Sequence, residues 1–264
     1  MDQAAKSRVV TVITGASAGI GADLARVFAQ KGHDLALVAR DAKKLGDLAD
    51  ELGQIGRQRP LVIPLDLSPP GAADELLAKL AAAGARADIL VNNAGYGLLG
   101  KAADLDRKAQ VGMIDLNIRA LTDLTLAFLP MLRTGKGRLL NVASTAAFVP
   151  GPGFAIYYAT KAYVLSFSEA LSHELKGEVS VTALCPGPTA TEFQALAGFE
   201  KSPGMNKMPM MTSKAVAQIG YDATMAGKRV AIAGVSNQAM VLGMKLSPHA
   251  LLLPILSRIQ GTSH

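Results

Sequence analysis

Short apolar runs alternate with longer helix-like segments along the chain, and this alternation limits the possible folds more than any other feature. Seven runs rich in β-branched and other apolar residues are predicted to be strands: 8–14, 33–40, 60–66, 87–93, 137–143, 179–185 and 228–234. The segments between them repeat apolar residues at helical spacing: 19–31, 41–53, 71–83, 107–132, 155–176 and 213–226. A strand followed by a helix, repeated, gives right-handed crossovers and a parallel sheet. The sequence therefore predicts an α/β protein in which a doubly wound, seven-stranded parallel sheet carries helices on both faces.

The composition fits a single domain over residues 1–264. Half of the residues are hydrophobic and 18% are charged, which is enough apolar surface for a buried core. Cys185, the only cysteine, lies in an apolar run, so no internal disulfide can form and a reducing compartment is expected. The start of the chain has no signal-peptide pattern, and the uncharged stretches near the C-terminus are too short to span a bilayer. We expect a cytoplasmic protein.

The net charge of +6 is concentrated near the C-terminus. Beyond residue 200 the chain has seven basic residues and one acidic residue, whereas the part before it is balanced. This excess is typical of a solvated face, and it would also suit an anionic partner such as a coenzyme A thioester, a phosphate or a lipid surface. No dense Lys/Arg run with interleaved aromatic residues is present, which argues against a nucleic-acid partner. The histidines are scattered without ligand spacing, so no metal site is predicted.

Two segments interrupt the alternation of strands and helices. Residues 186–211 contain several Pro, Gly and Met residues and are too long for a simple connection, so we expect a substrate loop. Its large apolar side chains offer an adaptable surface for a hydrophobic substrate, or simply pack the loop: Phe193, Phe199, Met205, Met208, Met210 and Met211. Residues 235–264 form an apolar, basic C-terminal extension, predicted to be one or two amphipathic helices interrupted near Pro248 and Pro254. This extension would suit a membrane surface, a subunit contact or simple core packing.

The first predicted strand leads into a glycine-rich turn, TGASAGIG, at residues 14–21. Gly15, Gly19 and Gly21 permit a tight turn and let the backbone approach a pyrophosphate, while the N–H groups of the next helix point toward that charge. Their spacing differs from the common G-x-G-x-x-G pattern, and plain turn chemistry is the alternative explanation. The turn favours a Rossmann-type dinucleotide site.

The stretch IYYATKAY, residues 156–163, places Lys161 four residues after Tyr157 and three after Tyr158. Residues three and four apart are neighbours on a helix, so either tyrosine can share a face with the lysine. Spacing alone does not choose between them, and short patterns of this kind also arise by chance.

Five motifs in order make residues 9 to about 192 resemble the short-chain dehydrogenase/reductase family. The glycine turn has the spacing T-G-x-x-x-G-x-G, NNAG follows the fourth strand, and Asn117 lies in the segment DLNIRA. Ser144 follows the fifth strand, Tyr157 and Lys161 come thirteen and seventeen residues after that serine, and PGPTAT follows the sixth strand. The resemblance implies hydride transfer between a nicotinamide cofactor and a carbonyl or secondary alcohol.

The family pattern also implies roles for the catalytic candidates. Tyr157 is the acid/base, Lys161 holds the nicotinamide ribose, and Asn117 binds a water that relays protons to the lysine. Charge supports the first role, because a nearby ammonium favours the phenolate and lowers the pKa of a phenol from about 10. Ser144, with Thr145 as its rival, would stabilise the charge that develops on the carbonyl oxygen. For Asn117, the alternative explanation is that it mends a local helix irregularity.

The residues after the second strand favour NADP(H) over NAD(H). A carboxylate at this point would bind the adenosine ribose hydroxyls of NAD, whereas an arginine can pair with the 2′-phosphate of NADP. Ala39 stands where NAD-preferring relatives usually carry the acid, and Arg40 follows it, with Lys43 or Lys44 nearby. Asp41, next to the arginine, is the feature that opposes this choice.

The resemblance implies the rest of the cofactor site as well. Asp66 and the backbone of Leu67 would meet the adenine, and Asn93 and Gly95 would line the adenosine side. The expected cofactor residues are Gly15, Ser17, Gly19, Ile20, Gly21, Arg40, Lys44, Asp66, Leu67, Asn93, Gly95, Tyr157, Lys161, Pro186, Gly187, Thr189 and Thr191, the last four near the nicotinamide and the phosphates.

The leading hypothesis is an NADP(H)-dependent carbonyl reductase or alcohol dehydrogenase that acts on a hydrophobic ketone or a 3-oxoacyl substrate. The resemblance also implies a homodimer or homotetramer built on the two long helices. The alternatives are a non-catalytic NADP(H)-binding regulator on the same fold and a lipid or steroid reductase at a membrane surface. The complete set of Ser144, Tyr157 and Lys161 argues against the regulator, because a protein that only binds the cofactor does not need all three.

Overall fold

The seven predicted strands form one sheet in the computed structural model, which describes residues 7–198, 204 and 208–261. The strands of the described residues are β1 (Arg8–Thr14), β2 (Leu35–Ala39), β3 (Leu61–Pro64), β4 (Ala85–Asn92), β5 (Arg138–Val142), β6 (Ser180–Cys185), β7 (Thr189–Ala190), β8 (Met211–Thr212) and β9 (Val230–Ile232). All except β7 and β8 belong to the main sheet, and every pairing in it is parallel. The predicted seven-stranded parallel sheet is confirmed.

The strand order is β3-β2-β1-β4-β5-β6-β9. The chain proceeds outward from β1 through β2 to β3, and then crosses to the other side of β1 to form β4. In open parallel sheets, ligands bind beyond the carboxyl ends of the strands at the point of this reversal. The order therefore places a crevice beyond β1 and β4, where the glycine turn and the NNAG motif lie.

Helices cover both faces of the sheet. Their bounds are α1 (Gly19–Gln30), α2 (Ala42–Ile55), α3 (Ala72–Ala82), α4 (Arg107–Ile114), α5 (Leu121–Thr134), α6 (Ala155–Glu174), α7 (Phe193–Ala197), α8 (Ser213–Met225), α9 (Val235–Leu246) and α10 (His249–Ile259). One face is covered by α1, α2 and α8, whose buried residues include Leu24, Leu45 and Val216. The other is covered by α3, α5 and α6, with Leu76 and Phe128 in its core. Burial on both faces explains why the strand sequences are almost continuously apolar, and the doubly wound fold is confirmed.

One predicted helix is divided into three parts. The prediction over 107–132 is a continuous helix, whereas the structure has α4, a π-helical segment at Asp115–Ala120, and α5. Asn117 lies in the π segment, where its side-chain amide donates to the backbone oxygen of Tyr96 at 2.9 Å and accepts from the Tyr96 backbone nitrogen at 3.1 Å. Such π segments occur often at functional sites. The local helix irregularity considered for Asn117 is present.

The 186–211 segment is partly regular rather than a simple loop. β7 and β8 pair in parallel, and α7 lies between them in the chain. Residues 199–203 and 205–207, which include Phe199 and Met205 of the predicted substrate loop, lie outside the described residues.

The C-terminal extension contains two helices, α9 and α10. Pro248 precedes α10 as predicted, but Pro254 lies within α10, so the prediction of a second interruption is wrong. A proline inside a helix removes one backbone hydrogen bond, and the buried Leu256 still anchors the second half of α10. Residues 262–264 of the extension lie outside the described residues. No helix among the residues that the structure describes is long and apolar enough to cross a membrane.

Candidate active site

The carboxyl ends of the main strands open into a cavity of about 890 Å³. All but two of the predicted site residues line it: Gly15, Ser17, Gly19, Ile20, Arg40, Lys44, Asp66, Leu67, Asn93, Gly95, Ser144, Tyr157, Lys161, Pro186, Gly187, Thr189 and Thr191. The exceptions are Gly21 and Asn117, which are buried and do not reach the cavity. The topology thus brings residues of the predicted motifs, from the glycine turn to the PGPTAT motif, together around one cavity.

The glycine turn is packed too closely for side chains. Gly15 and Gly19 have φ angles of +63° and +56°, a region that favours glycine. A Cβ atom at Gly21 would lie 2.2 Å from the Gly15 backbone oxygen and 2.4 Å from Nδ2 of Asn93. Gly21 therefore acts through packing beneath the turn rather than by lining the cavity.

Thr14 and Asn93 hold this turn against the end of β4. The Asn93 side-chain amide donates to the backbone oxygens of Thr14 and Gly15, at 2.9 and 3.1 Å. The Thr14 hydroxyl donates to the backbone oxygen of Val91 and accepts from the backbone nitrogens of Asn93 and Ala94. Sequence reasoning missed Thr14, although its position before Gly15 in the T-G-x-x-x-G-x-G pattern was a usable signal.

The N-terminus of α1 opens onto the cavity without a side-chain cap. Ala18 is the N-cap residue, and Ser17, Gly19 and Ile20 line the cavity beside it. The first N–H groups of a helix are unpaired and carry partial positive charge, so an uncapped terminus of this kind suits a phosphate group. The close-packed glycine turn and this terminus together fit the pyrophosphate of a dinucleotide.

Arg40 follows β2 and lines the cavity, and its guanidinium makes no ion pair among the described residues. The carboxylate of Asp41 caps α2 by accepting from the Lys44 backbone nitrogen at 2.9 Å, so it is committed to the helix. Lys44 lines the cavity, where its ammonium lies 3.0 Å from the Glu192 carboxylate. Lys43 instead pairs with Asp47 on the helix surface. The structure thus favours Lys44 over Lys43 as the second cation near Arg40.

Tyr157 is the tyrosine that faces Lys161. Its ring stacks on Phe154 with centroids 4.5 Å apart, and the Lys161 ammonium lies 5.7 Å from the Tyr157 ring centroid. Burial raises the pKa of Tyr157, and a hydrogen bond with Ser144 opposes that rise. The expectation that Lys161, together with the oxidised nicotinamide ring, lowers the pKa of Tyr157 stays a prediction about the cofactor-bound site. The Lys161 ammonium lies over the face of the Tyr157 ring.

Lys161 is almost completely buried, with 7% of its surface exposed. Its ammonium donates to the backbone oxygen of Val142 at 2.8 Å. Burial lowers the pKa of Lys161 to about 8, because desolvation disfavours the charged form. Lys161 is therefore close to its titration point near neutral pH, and a negative charge nearby would shift it toward the ammonium form.

Ser144 begins a short 3₁₀ turn, Thr145–Phe148, directly after β5. Its hydroxyl accepts from the backbone nitrogen of Ala146 at 3.1 Å and donates to the backbone oxygen of Pro186 at 3.4 Å. Thr145 also lines the cavity, and its backbone nitrogen donates to the same Pro186 oxygen at 2.8 Å. Of the two, only Ser144 lowers the pKa of Tyr157.

Asn117 stands behind the cavity wall. Besides its two bonds with the Tyr96 backbone, its amide donates to the Thr160 hydroxyl at 3.1 Å. A Cβ atom at Gly95 would lie 2.8 Å from the Asn117 side-chain oxygen. Asn117 thus fixes the segment after β4 to α6, close to Lys161.

The remaining wall of the cavity is apolar and comes from residues that sequence reasoning mostly missed. Of the predicted loop residues, Phe193 and Met208 line it, whereas Met210 and Met211 do not. The further residues at this end are Tyr96, Phe154, Tyr158, Leu196, Met240, Met244, Leu256, Ile259 and Gln260. Helical periodicity was the only signal for those in α9 and α10. We call this the substrate end and the part formed by the glycine turn and Arg40 the cofactor end.

Asn237 of α9 supports the sixth-strand motif from outside the cavity. A Cβ atom at Gly187 would lie 2.4 Å from the Asn237 side chain, whose amide donates to the backbone oxygen of Ala233 at 2.6 Å. Sequence reasoning missed this contact, because the residues lie fifty positions apart and no local pattern links them.

Comparisons with known proteins agree with this arrangement. A family model described as short chain dehydrogenase matches residues 9–200. Sulfoacetaldehyde reductase 2 of Chromohalobacter salexigens is 39% identical over 188 residues, which cover 70% of this chain and 74% of the relative. The NADP-dependent 3-hydroxy acid dehydrogenase of Escherichia coli (strain K12) is 39% identical over 192 residues, which cover 70% of this chain and 75% of the relative.

A solved structure extends the likeness over most of the chain. It is a short-chain dehydrogenase from Sphingobium yanoikuyae in complex with NADPH, and it is 32% identical with a TM-score of 0.80. The match covers 92% of this chain and 94% of that chain. The protein belongs to the short-chain dehydrogenase family.

Proposed function

We propose that the protein is an NADP(H)-dependent reductase of bulky apolar ketones, or a dehydrogenase of the corresponding secondary alcohols. The proposal rests on one observation, which is that a single cavity has two chemically different ends. Ser144, Tyr157 and Lys161 lie between a glycine-lined end with a cationic margin and an end walled by apolar side chains.

The cofactor end supports NADP(H) over NAD(H). Arg40 makes no ion pair among the described residues, and Asp41 is engaged as a helix cap rather than with Arg40, so the guanidinium is left for the 2′-phosphate. The uncapped N-terminus of α1 would hold the pyrophosphate. NADP(H), when bound, supplies the hydride-transfer chemistry. The relative from Sphingobium yanoikuyae is described in complex with NADPH, which agrees with this choice.

In the reductive direction, Tyr157 donates its phenolic proton to the carbonyl oxygen of the substrate. The phenol is protonated at neutral pH, because the ordinary pKa of a tyrosine is about 10, so it has a proton to donate. Ser144 donates a hydrogen bond to the same oxygen and stabilises its developing charge. When Tyr157 gives up its proton, the phenolate favours the ammonium form of Lys161, whose pKa of about 8 lets it respond near neutral pH. Asn117 positions Gly95 and Tyr96 beside these groups.

The substrate end supports a bulky apolar ketone. Its wall includes the side chains of Phe154, Leu196, Met240 and Met244, and methionines adapt their shape to irregular ligands. A small, charged carbonyl compound would leave most of this apolar surface without a contact, whereas a ring system or a 3-oxoacyl chain would cover it.

The test measures oxidation of NADPH and NADH with ketones of increasing apolar size, for the wild type and Tyr157→Phe. We expect turnover with NADPH that favours the larger ketones, and a loss in kcat/KM of about 10²- to 10⁴-fold in the variant, the range for a missing general acid. NADPH binding, measured by fluorescence titration, should survive. Tyr221→Phe is the matched control, because Tyr221 lies on α8 and does not line the cavity. Tight NADPH binding without reduction of any ketone would contradict the proposal and favour a binding protein.

We also propose self-association through the outer face of α4, α5 and α6. Val111, Ile114, Leu126 and Tyr163 on this face are all more than a third exposed, although large apolar side chains are usually buried. Light scattering should give the mass of a dimer or tetramer for the wild type and a smaller mass for Leu126→Glu. A monomeric wild type would contradict this proposal.

A further inference from the structure

The second tyrosine of the IYYATKAY stretch has an unexpected partner at the end of the described chain. Gln260 follows α10, is only 3% exposed, and lines the substrate end of the cavity. Its side-chain nitrogen donates to the Tyr158 hydroxyl at 2.9 Å. Its side-chain oxygen is shielded from solvent and has no hydrogen-bond partner among the described residues.

An unpaired buried acceptor is unfavourable by about 1–3 kcal/mol, so native structures rarely keep one without a reason. Leu256, one turn before Gln260, is apolar, and the Tyr158 hydroxyl accepts from the Gln260 nitrogen rather than donating to its oxygen. Because this oxygen is shielded even from water, a ligand with a donor group satisfies it once the Gln260 side chain turns toward the cavity.

Tyr158 supplies a hydrogen-bond donor that complements the acceptor of Gln260. A Cβ atom at Gly151 would lie 2.5 Å from the Tyr158 ring, so the ring is seated directly on the backbone of that glycine. Burial raises the pKa of Tyr158 to about 12, which keeps the hydroxyl neutral. Because the hydroxyl oxygen accepts from Gln260, its own proton is left to be donated. Tyr158 and Gln260 together present one donor and one acceptor.

We propose that Gln260 and Tyr158 form a polar subsite that recognises a hydroxyl group on an otherwise apolar ketone, at a position separate from the reacting carbonyl. A hydroxyl fits both partners, because it donates to the Gln260 oxygen and accepts from Tyr158. The ring centroids of Tyr157 and Tyr158 lie 6.3 Å apart, so a substrate that contacts both rings spans several bonds. This inference rests on the proposed function and narrows its substrate class to bulky hydroxyketones.

The test uses pairs of cyclic ketones that differ only in a hydroxyl group, placed at successive positions around the ring system. The wild type should prefer at least one hydroxyketone over its deoxy partner by about 10- to 100-fold in kcat/KM, since a site built to bind a hydroxyl rejects the analogue that lacks it. Gln260→Leu and Tyr158→Phe should each lower kcat/KM for the hydroxyketone much more than for its deoxy partner, so that most of this preference is lost. Gln238→Leu, an exposed glutamine of α9 that does not line the cavity, is the control.

Two outcomes would overturn the inference: no preference for any hydroxyketone in the wild type, or an equal loss for both members of the pair in the two variants. Equal loss would indicate a purely structural role for the Gln260–Tyr158 hydrogen bond. If the wild type reduces no ketone, the proposed function fails, and calorimetric binding of the same pairs to NADPH-saturated protein tests the subsite separately. Tighter binding of a hydroxyketone that Gln260→Leu abolishes would support the subsite, and equal or absent binding would overturn it.

Discussion

The cofactor end and the substrate end of the cavity are built in different ways. At the cofactor end, backbone packing fixes the glycine turn: Gly15 and Gly19 have positive φ angles, and a Cβ at Gly15 or Gly21 would collide with its neighbours. At the substrate end, the walls are long side chains such as Met240 and Met244, contributed by helices outside the parallel sheet. A backbone wall fixes one shape, whereas a side-chain wall can change with one substitution. The comparison suggests that cofactor binding is tied to the fold and substrate choice is not.

Substitution of glycine by alanine should have opposite effects at Gly21, beneath the glycine turn, and at Gly243, in one of the helices that contribute to the substrate end. Gly21→Ala places a Cβ 2.2 Å from the Gly15 oxygen, so we expect destabilisation by about 3 kcal/mol or more and loss of NADPH binding. Gly243→Ala in α9 meets nothing within 4 Å and should stabilise the helix by about 0.5–1 kcal/mol. Chemical denaturation and NADPH titration measure both. If Gly21→Ala kept its stability and its NADPH binding, the cofactor end would not depend on tight backbone packing.

Lys161 lies where the two ends meet, and its burial should appear as a pH dependence of stability. The pKa of Lys161 is about 8 in the folded protein against 10.5 for a free lysine. Between these values the unfolded chain binds a proton that the folded protein has lost, so stability gains from this residue as pH rises. The stability of the wild type relative to Lys161→Met should therefore increase by roughly 3 kcal/mol from pH 7 to pH 10.5.

Denaturation of both proteins across this pH range measures the difference, in which the titration of shared groups largely cancels. Lys43→Met provides the control, because Lys43 is exposed and its pKa is raised by Asp47. A flat difference for Lys161→Met would mean that the Lys161 ammonium is adequately solvated.

Substitution of Arg40 tests whether NADPH binding at the cofactor end also depends on a side chain. Arg40→Ala removes the cation expected to pair with the 2′-phosphate, so NADPH affinity should fall about 10-fold while NADH affinity stays unchanged. Lys43→Ala, a nearby substitution of a lysine that pairs with Asp47, should leave both affinities unchanged. An equal loss for NADPH and NADH would indicate that Arg40 supports the turn rather than the phosphate.

The Lys44–Glu192 ion pair joins the two ends of the cavity. Breaking this ion pair should produce the smallest of the expected changes in NADPH affinity. The pair is exposed, and such pairs contribute about 0.2–1 kcal/mol. Glu192→Gln frees Lys44 for the cofactor phosphate, so NADPH should bind about two- to fivefold more tightly at low salt, with the gain lost at high salt. Asp47→Asn, which breaks the neighbouring Lys43 pair, is the control. Weaker NADPH binding in Glu192→Gln would indicate that the ion pair holds the 186–211 segment over the cofactor.

The sequence predicted the sheet, and most residues predicted for the cofactor end line one cavity, because both depend on local patterns. Strand runs and glycine spacing are visible in short windows, and parallel topology then brings Gly15 and Arg40 to one edge. The π segment around Asn117 and the continuation of α10 through Pro254 were not predictable, since tertiary packing decides each of them. The pairing of Tyr158 with Gln260 joins residues 102 positions apart, and no periodicity encodes it.

The place of β1 inside the sheet also bears on how the protein takes shape during synthesis. Both strands that pair with β1 are complete by residue 92, whereas β9 is among the last parts of the sheet to leave the ribosome. The strands that carry the glycine turn and the NNAG motif are therefore synthesised well before Gln260, so the two ends of the cavity come from widely separated stretches of the chain.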